Sequence, residues 1–150
     1  MEFKRRAELS PTGAGISNVS RARFQSAMLT SHAKRRRVLI VEDDPATRTG
    51  LEKFLQHAGY DAVTASSFQS GLQSMIETPP DLLITDVRLG EYNGLQLIAT
   101  SGLAIPSIVI TAFADPVLEA EARRFGADYL LKPISPAELM TLIRQRLGDT

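Results

Sequence analysis

The sequence predicts an α/β domain in which a parallel five-stranded sheet is covered by helices on both faces. Two observations carry that expectation. From residue 37 onward, short apolar runs alternate strictly with segments of helical periodicity, and such alternation implies parallel strands joined by right-handed crossovers. Three of the runs, Val38–Val41, Leu82–Ile84 and Ile108–Ile110, are apolar without a break, as strands buried on both faces should be.

The elements follow in order. Val38–Val41 is too short for a helix and rich in β-branched residues, so it reads as a strand. Asp44-Pro45 supplies an N-cap and a first-turn proline; Leu51, Phe54, Leu55 and Ala58 then recur at helical spacing until Gly59. Residues 61–65 form a weaker strand, and Phe68, Leu72, Met75 and Ile76 mark a helix over 67–77 that Pro79-Pro80 ends. The strand at Leu82–Thr85 runs into a glycine-containing loop and a helix near 94–101. After the strand at 108–110, Asp115-Pro116 starts a helix that runs to Gly126. Tyr129–Leu131 is the fifth strand, and Ser135-Pro136-Ala137-Glu138 is a capping box before a final helix with Leu139, Leu142, Ile143 and Leu147 on one face.

Composition narrows the classes further. A hydrophobic fraction of 43% and a charged fraction of 23% suit a globular domain. With no cysteine, disulfides, thiolate zinc sites and cysteine nucleophiles are excluded. No apolar run reaches the roughly 20 residues of a membrane span, and residues 1–20 lack the apolar segment of a secretory signal. The expected location is the cytoplasm. The zero net charge hides a division: residues 1–37 carry nine Lys/Arg and two Glu, a net of +7, and residues 38–150 a net of −7. A basic extension over 1–36, disordered apart from a short helix near Arg21–Leu29, is therefore expected before a domain over 37–150. A nucleic-acid contact is expected only if that extension makes it, through Lys34 to Arg37.

In open parallel sheets the ligand site lies beyond the carboxyl ends of the strands. The first strand ends on Glu42-Asp43-Asp44, the third on Asp86, the fourth on Thr111 and the fifth on Lys132-Pro133. Carboxylates held together disfavour each other's ionisation. A hard cation relieves that repulsion, and Mg2+ takes one or two carboxylates together with water and phosphate oxygens. Asp86 is then a candidate nucleophile toward phosphorus, Asp43 a metal ligand with Glu42 acting through water, and Lys132 and Thr111 partners for phosphoryl oxygens. Taken singly, an acidic strand end is more often a helix cap, which is the expected role of Asp44. The coincidence of these residues on one rim favours chemistry.

These residues stand in segments that resemble the receiver domain of two-component response regulators over roughly 37–148: VLIVEDDP (38–45), DLLITDVRLGEYNG (81–94), PSIVITAFAD (106–115) and GADYLLKPI (126–134). The resemblance implies a flavodoxin-like sheet of order 2-1-3-4-5. It implies Asp86 as phosphoacceptor, Glu42 and Asp43 with Asp86 as the Mg2+ site, and the backbone carbonyl of Arg88 as a further ligand. Thr111 and Tyr129 match the switch positions, Lys132 the family lysine, and Lys132-Pro133 a cis peptide. Arg88 and Phe113 match the positions that modulate autodephosphorylation, and Gly90 departs from the proline common in the family. The phosphoryl donor would be a phosphohistidine on a sensor histidine kinase or a histidine phosphotransfer protein.

The expected form is a stand-alone, chemotaxis-regulator-like receiver, which catalyses only its own phosphorylation and dephosphorylation. It would signal to a protein target through its last two helices and last strand. An isolated receiver portion of a larger regulator or hybrid kinase is the alternative. An aspartyl-phosphate phosphatase or phosphotransferase of the haloacid-dehalogenase type would need an acid where Arg88 stands. A nucleotide- or flavin-binding domain would need a phosphate loop where the chain has three consecutive acids.

Overall fold

The computed structural model of the chain describes residues 34–149. The expectations for the basic extension, including the helix near Arg21–Leu29, lie outside the described residues. Five parallel strands, β1 (Arg37–Val41), β2 (Asp61–Ala65), β3 (Leu82–Asp86), β4 (Ser107–Thr111) and β5 (Asp128–Leu131), form one sheet in the order β2-β1-β3-β4-β5. The helices are α1 (Pro45–His57), α2 (Phe68–Glu77), α3 (Gly94–Ser101), α4 (Pro116–Arg124) and α5 (Pro136–Leu147). This is the flavodoxin-like order the resemblance implied.

Alternation along the strands divides the core in two. Val38, Ile40, Leu82, Ile84, Ile108 and Ile110 face one side, packed with Leu51 and Leu55 of α1 and Leu139 and Ile143 of α5. Leu39, Val41 and Leu83 face the other, against Phe68 and Met75 of α2 and Leu97 of α3. Each such side chain contributes roughly 1.5–3 kcal/mol by leaving water, and the central strands are buried from both sides. That makes the strand ends rigid mounts for whatever they carry.

Local signals set the helix starts. Asp44 accepts from the Thr47 N–H at 2.9 Å, and Asp115 accepts from the Val117 N–H at 2.9 Å. Ser67 with Ser70, and Asn93 with Gln96, form reciprocal capping boxes at α2 and α3. At α5 only half of the expected box forms: the Glu138 N–H donates to Ser135 Oγ at 3.3 Å, and no return bond from Glu138 is made among the described residues. The helix expected over 115–126 is shorter, ending at Arg124.

The main departure is the loop after β3. It folds as an antiparallel ribbon in which Arg88 pairs with Asn93 and Leu89 with Tyr92. Two residues, Gly90 and Glu91, connect the pair, and Gly90 has φ +63°. A positive φ at the first of two central residues is the pattern of a type II′ turn, where glycine is preferred. Proline, fixed near −65°, could not stand there.

Candidate functional site at the carboxyl ends of the strands

Glu42, Asp43, Asp86 and Lys132 converge as the topology requires. Lys132 follows β5, and its N–H donates to the Thr111 carbonyl at 2.7 Å, which ties the end of β5 to the end of β4. The Lys132 ammonium reaches across the sheet edge and donates to Glu42 Oε1 at 2.6 Å and to Asp86 Oδ2 at 2.9 Å. Asp86 Oδ1 accepts from the Arg88 N–H at 3.1 Å. Both Asp86 carboxylate oxygens are thus held, one by an ammonium and one by backbone. The Lys132-Pro133 peptide is cis.

Glu42 is only 2% exposed, and its Oε2 has no hydrogen-bond partner among the described residues. Burial pushes its pKa up from 4.5 to about 7; the Lys132 hydrogen bond opposes the rise and the neighbouring Asp86 reinforces it. Burial alone would depress the Lys132 pKa, but hydrogen bonds to Glu42 and Asp86 outweigh that effect and raise it. Carboxylate oxygens of Glu42, Asp43 and Asp86 lie within 4.8 Å of one another. A buried, unpartnered carboxylate oxygen beside two further carboxylates is a donor set that a hard divalent cation satisfies. The residues fit Mg2+.

Other expected residues sit around this rim. The Thr111 hydroxyl is turned toward its own loop, accepting from the Phe113 N–H at 3.2 Å. It makes no hydrogen bond to Asp86 or Lys132. The Tyr129 hydroxyl donates to the Phe113 carbonyl at 3.1 Å. The Arg88 guanidinium lies 4.4 Å over the Phe113 ring. Asp44 is not part of the cluster: hydrogen bonds from Thr47 hold its carboxyl below the usual range, as a cap.

Arg48 carries no signal in the sequence pattern, and Gly94 shows there only as the glycine that ends the 81–94 segment. The Arg48 guanidinium donates to the Glu42 carbonyl at 2.9 Å, bracing the turn that bears the acids. Gly94 donates its N–H to the Val87 carbonyl at 2.7 Å and lies directly against the Asp86 backbone. An i+6 pairing to arginine has no periodicity to reveal it, and close backbone approach shows in sequence only as a bare glycine.

A five-stranded parallel sheet with an acid-rich rim and a lysine reaching to two of the acids defines an α/β domain whose candidate site lies beyond the carboxyl ends of its strands. The chain belongs to the response regulator receiver domain family, whose profile matches residues 38–144. It is 35% identical over 114 residues to an uncharacterized 14.6 kDa protein in the sodA1 3′ region of Leptolyngbya boryana, covering 72% of this chain and 87% of that one. It is 32% identical over 116 residues to the DNA-binding response regulator MtrA of Mycolicibacterium smegmatis, covering 75% of this chain but only 51% of MtrA. A solved structure of a response regulator from Chloroflexus aurantiacus superposes with a TM-score of 0.70 at 33% identity, over 77% of this chain and 99% of that one. Response regulators of this family act in two-component systems with histidine kinases and downstream targets, and their receiver domains bind Mg2+. Among the described residues no helix is long and apolar enough to cross a membrane.

Proposed function

We propose that the chain is a phosphorylation switch in which Asp86 accepts a phosphoryl group from the phosphohistidine of a sensor kinase or phosphotransfer protein. The observation that carries this reading is the Asp86 carboxylate at the end of β3, held by Lys132 on one oxygen and the Arg88 N–H on the other. In the transfer, an Asp86 oxygen attacks phosphorus and the P–N bond to the donor imidazole breaks. The bonding pair leaves on the imidazole nitrogen, which then takes up a proton. Lys132 would follow the developing charge, moving its donation to a phosphoryl oxygen. Glu42, Asp43 and Asp86, with the Arg88 carbonyl, would hold Mg2+, which neutralises phosphoryl charge when bound.

The Thr111 hydroxyl would swing from the Phe113 N–H to the phosphoryl group, and Tyr129, tethered to the same loop through the Phe113 carbonyl, would follow. That shifts a two-state equilibrium. The output surface would be formed by α4, β5 and α5, where Val117 and Leu131 already stand exposed. We take residues 37–150 as the working domain, with 1–36 as a basic extension. Our reading is a stand-alone regulator in the cytoplasm; the 87% span of the small Leptolyngbya protein supports only the stand-alone part. The 51% span of MtrA favours, as a second reading, the receiver portion of a longer one.

The test is incubation with Mg2+ and a small acyl phosphate donor, reading hydroxylamine-releasable phosphate on the native chain and on Asp86→Asn. The native chain is expected to take up phosphate and the variant none. No uptake by the native chain defeats the reading, and uptake that survives Asp86→Asn moves the acceptor elsewhere.

The raised pKa of Glu42 gives a second expectation. Below about pH 7 its carboxyl is protonated, and a cation must displace that proton to use both oxygens. Mg2+ affinity, measured by calorimetry, is expected to fall roughly tenfold per pH unit below that value and to level above it. An affinity unchanged between pH 6 and 8 would remove Glu42 from the site.

A further inference from the structure

We propose that Tyr92 is a positioning residue for the acceptor site, acting through the ribbon that follows Asp86 and setting how long the phosphoryl group survives. The inference rests on the reading of Asp86 as acceptor and adds a residue to it.

The ribbon is two residues long on each side, too short to hold its own shape. Directly opposed residues of an antiparallel pair share a face, and successive residues take opposite faces. Leu89 and Tyr92 are opposed, so both side chains stand on one face. Leu89 is 3% exposed, in the same cluster as Phe68. Tyr92 closes over that cluster, its ring stacked on Phe68 at 4.5 Å and 13°. Phe68 is itself fixed at the first position of α2, behind the Ser67 capping box.

With Leu89 and Tyr92 directed at α2, Arg88 is directed the other way. Its guanidinium lies on the Phe113 ring, and its N–H stays on Asp86 Oδ1. Arg88 is two residues past the end of β3, and Phe113 two past the end of β4. These strands are neighbours in the sheet, so the pair bridges the gap between their ends, beside the Asp86 carboxylate to which the Arg88 N–H donates. Loss of phosphate requires water to attack phosphorus, breaking the bond to Asp86 oxygen and releasing inorganic phosphate and the free carboxylate. A bridge held in place by the Tyr92 stack excludes that water; a slack ribbon admits it.

The test compares Tyr92→Ala with Tyr92→Phe, which keeps the stacked ring. Acyl phosphate half-life is measured after removal of the donor, and hydrogen exchange of the Arg88 and Gly94 amides is measured on unphosphorylated protein. An aromatic pair is worth about 0.5–1.5 kcal/mol, so Tyr92→Ala is expected to shorten the half-life by roughly two- to tenfold. Its ribbon amides should exchange faster by a similar factor, while Tyr92→Phe behaves as native. A native half-life in Tyr92→Ala overturns the proposal, as does loss of lifetime without faster ribbon exchange. Absence of phosphate on the native chain would instead overturn the acceptor reading, and the exchange data would still report whether Tyr92 holds the ribbon.

Discussion

Gly94→Ala is expected to cost about 3 kcal/mol of unfolding free energy, at the upper end of what overpacking by one methyl usually costs. A Cβ at this position would collide with the Asp86 carbonyl oxygen and lie 2.8 Å from Thr85 Oγ1 and 3.1 Å from the Asp86 carbonyl carbon. These obstacles are not free side-chain ends. The Thr85 hydroxyl is itself bonded to the Asp86 carbonyl at 3.0 Å, and Thr85 is fully buried. Relief must come from moving the Asp86 backbone or unseating α3, and either displaces the proposed acceptor. Phosphate uptake should fall along with the urea midpoint. Gly50→Ala is the control, because a Cβ there meets nothing within 4 Å among the described residues and the position lies inside α1. That change should stabilise by up to roughly 1 kcal/mol through helix propensity. A Gly94→Ala protein that unfolds at the native urea concentration would show the contact to be yielding.

Lys132→Met should have the second large effect, and its size should depend on pH. The lysine side chain is 23% exposed, with Glu42 and Asp86 still more enclosed. Removing one partner of a buried pair costs ~3–5 kcal/mol when the remaining charge has no escape. Here Glu42 has one, because it can stay protonated. A carboxyl whose folded pKa is raised contributes stability fully below its unfolded value near 4.5 and loses it as pH rises through about 7. Without the ammonium that opposes the rise, the folded pKa climbs further and the loss continues to higher pH. The deficit of Lys132→Met relative to the native chain is thus expected to be about 1 kcal/mol near pH 6 and to widen above pH 7. Added Mg2+ should narrow it, and phosphate uptake should fall roughly a hundredfold. Parallel pH–stability curves for the two proteins would refute this account.

The parts of the molecule that were legible beforehand are those that burial imposes. β1, β3 and β4 read as strands because both of their faces are covered, which keeps each apolar over at least three consecutive residues. That same rule drew attention to Glu42, Asp86, Thr111 and Lys132 as polar groups at or just past the strand ends. The edge strand β2 was weaker because only Ala65 is buried in it. What stayed hidden depends on geometry without period. The ribbon at 88–93 is shorter than any pattern that alternation can reveal. The Phe68–Tyr92 stack joins residues from elements with no sequence relation. The rotation of the Thr111 hydroxyl toward Phe113 is a choice among side-chain wells that composition does not encode. The half-formed box at Ser135 shows the limit of a motif: Glu138 stands at the right spacing without making the return bond.

The rim draws one residue or more from the ends of β1, β3, β4 and β5, which span the chain from Glu42 to Lys132. No pair of neighbouring elements contains the whole set, and Lys132 arrives only when the fifth strand has docked. A chain halted partway through folding therefore holds the acids without their cation, and neither half can imitate the complete site. Under the proposed reading, a kinase presented with immature copies would meet an acceptor without its lysine and phosphorylate it poorly, so the signal would weigh finished molecules above unfinished ones.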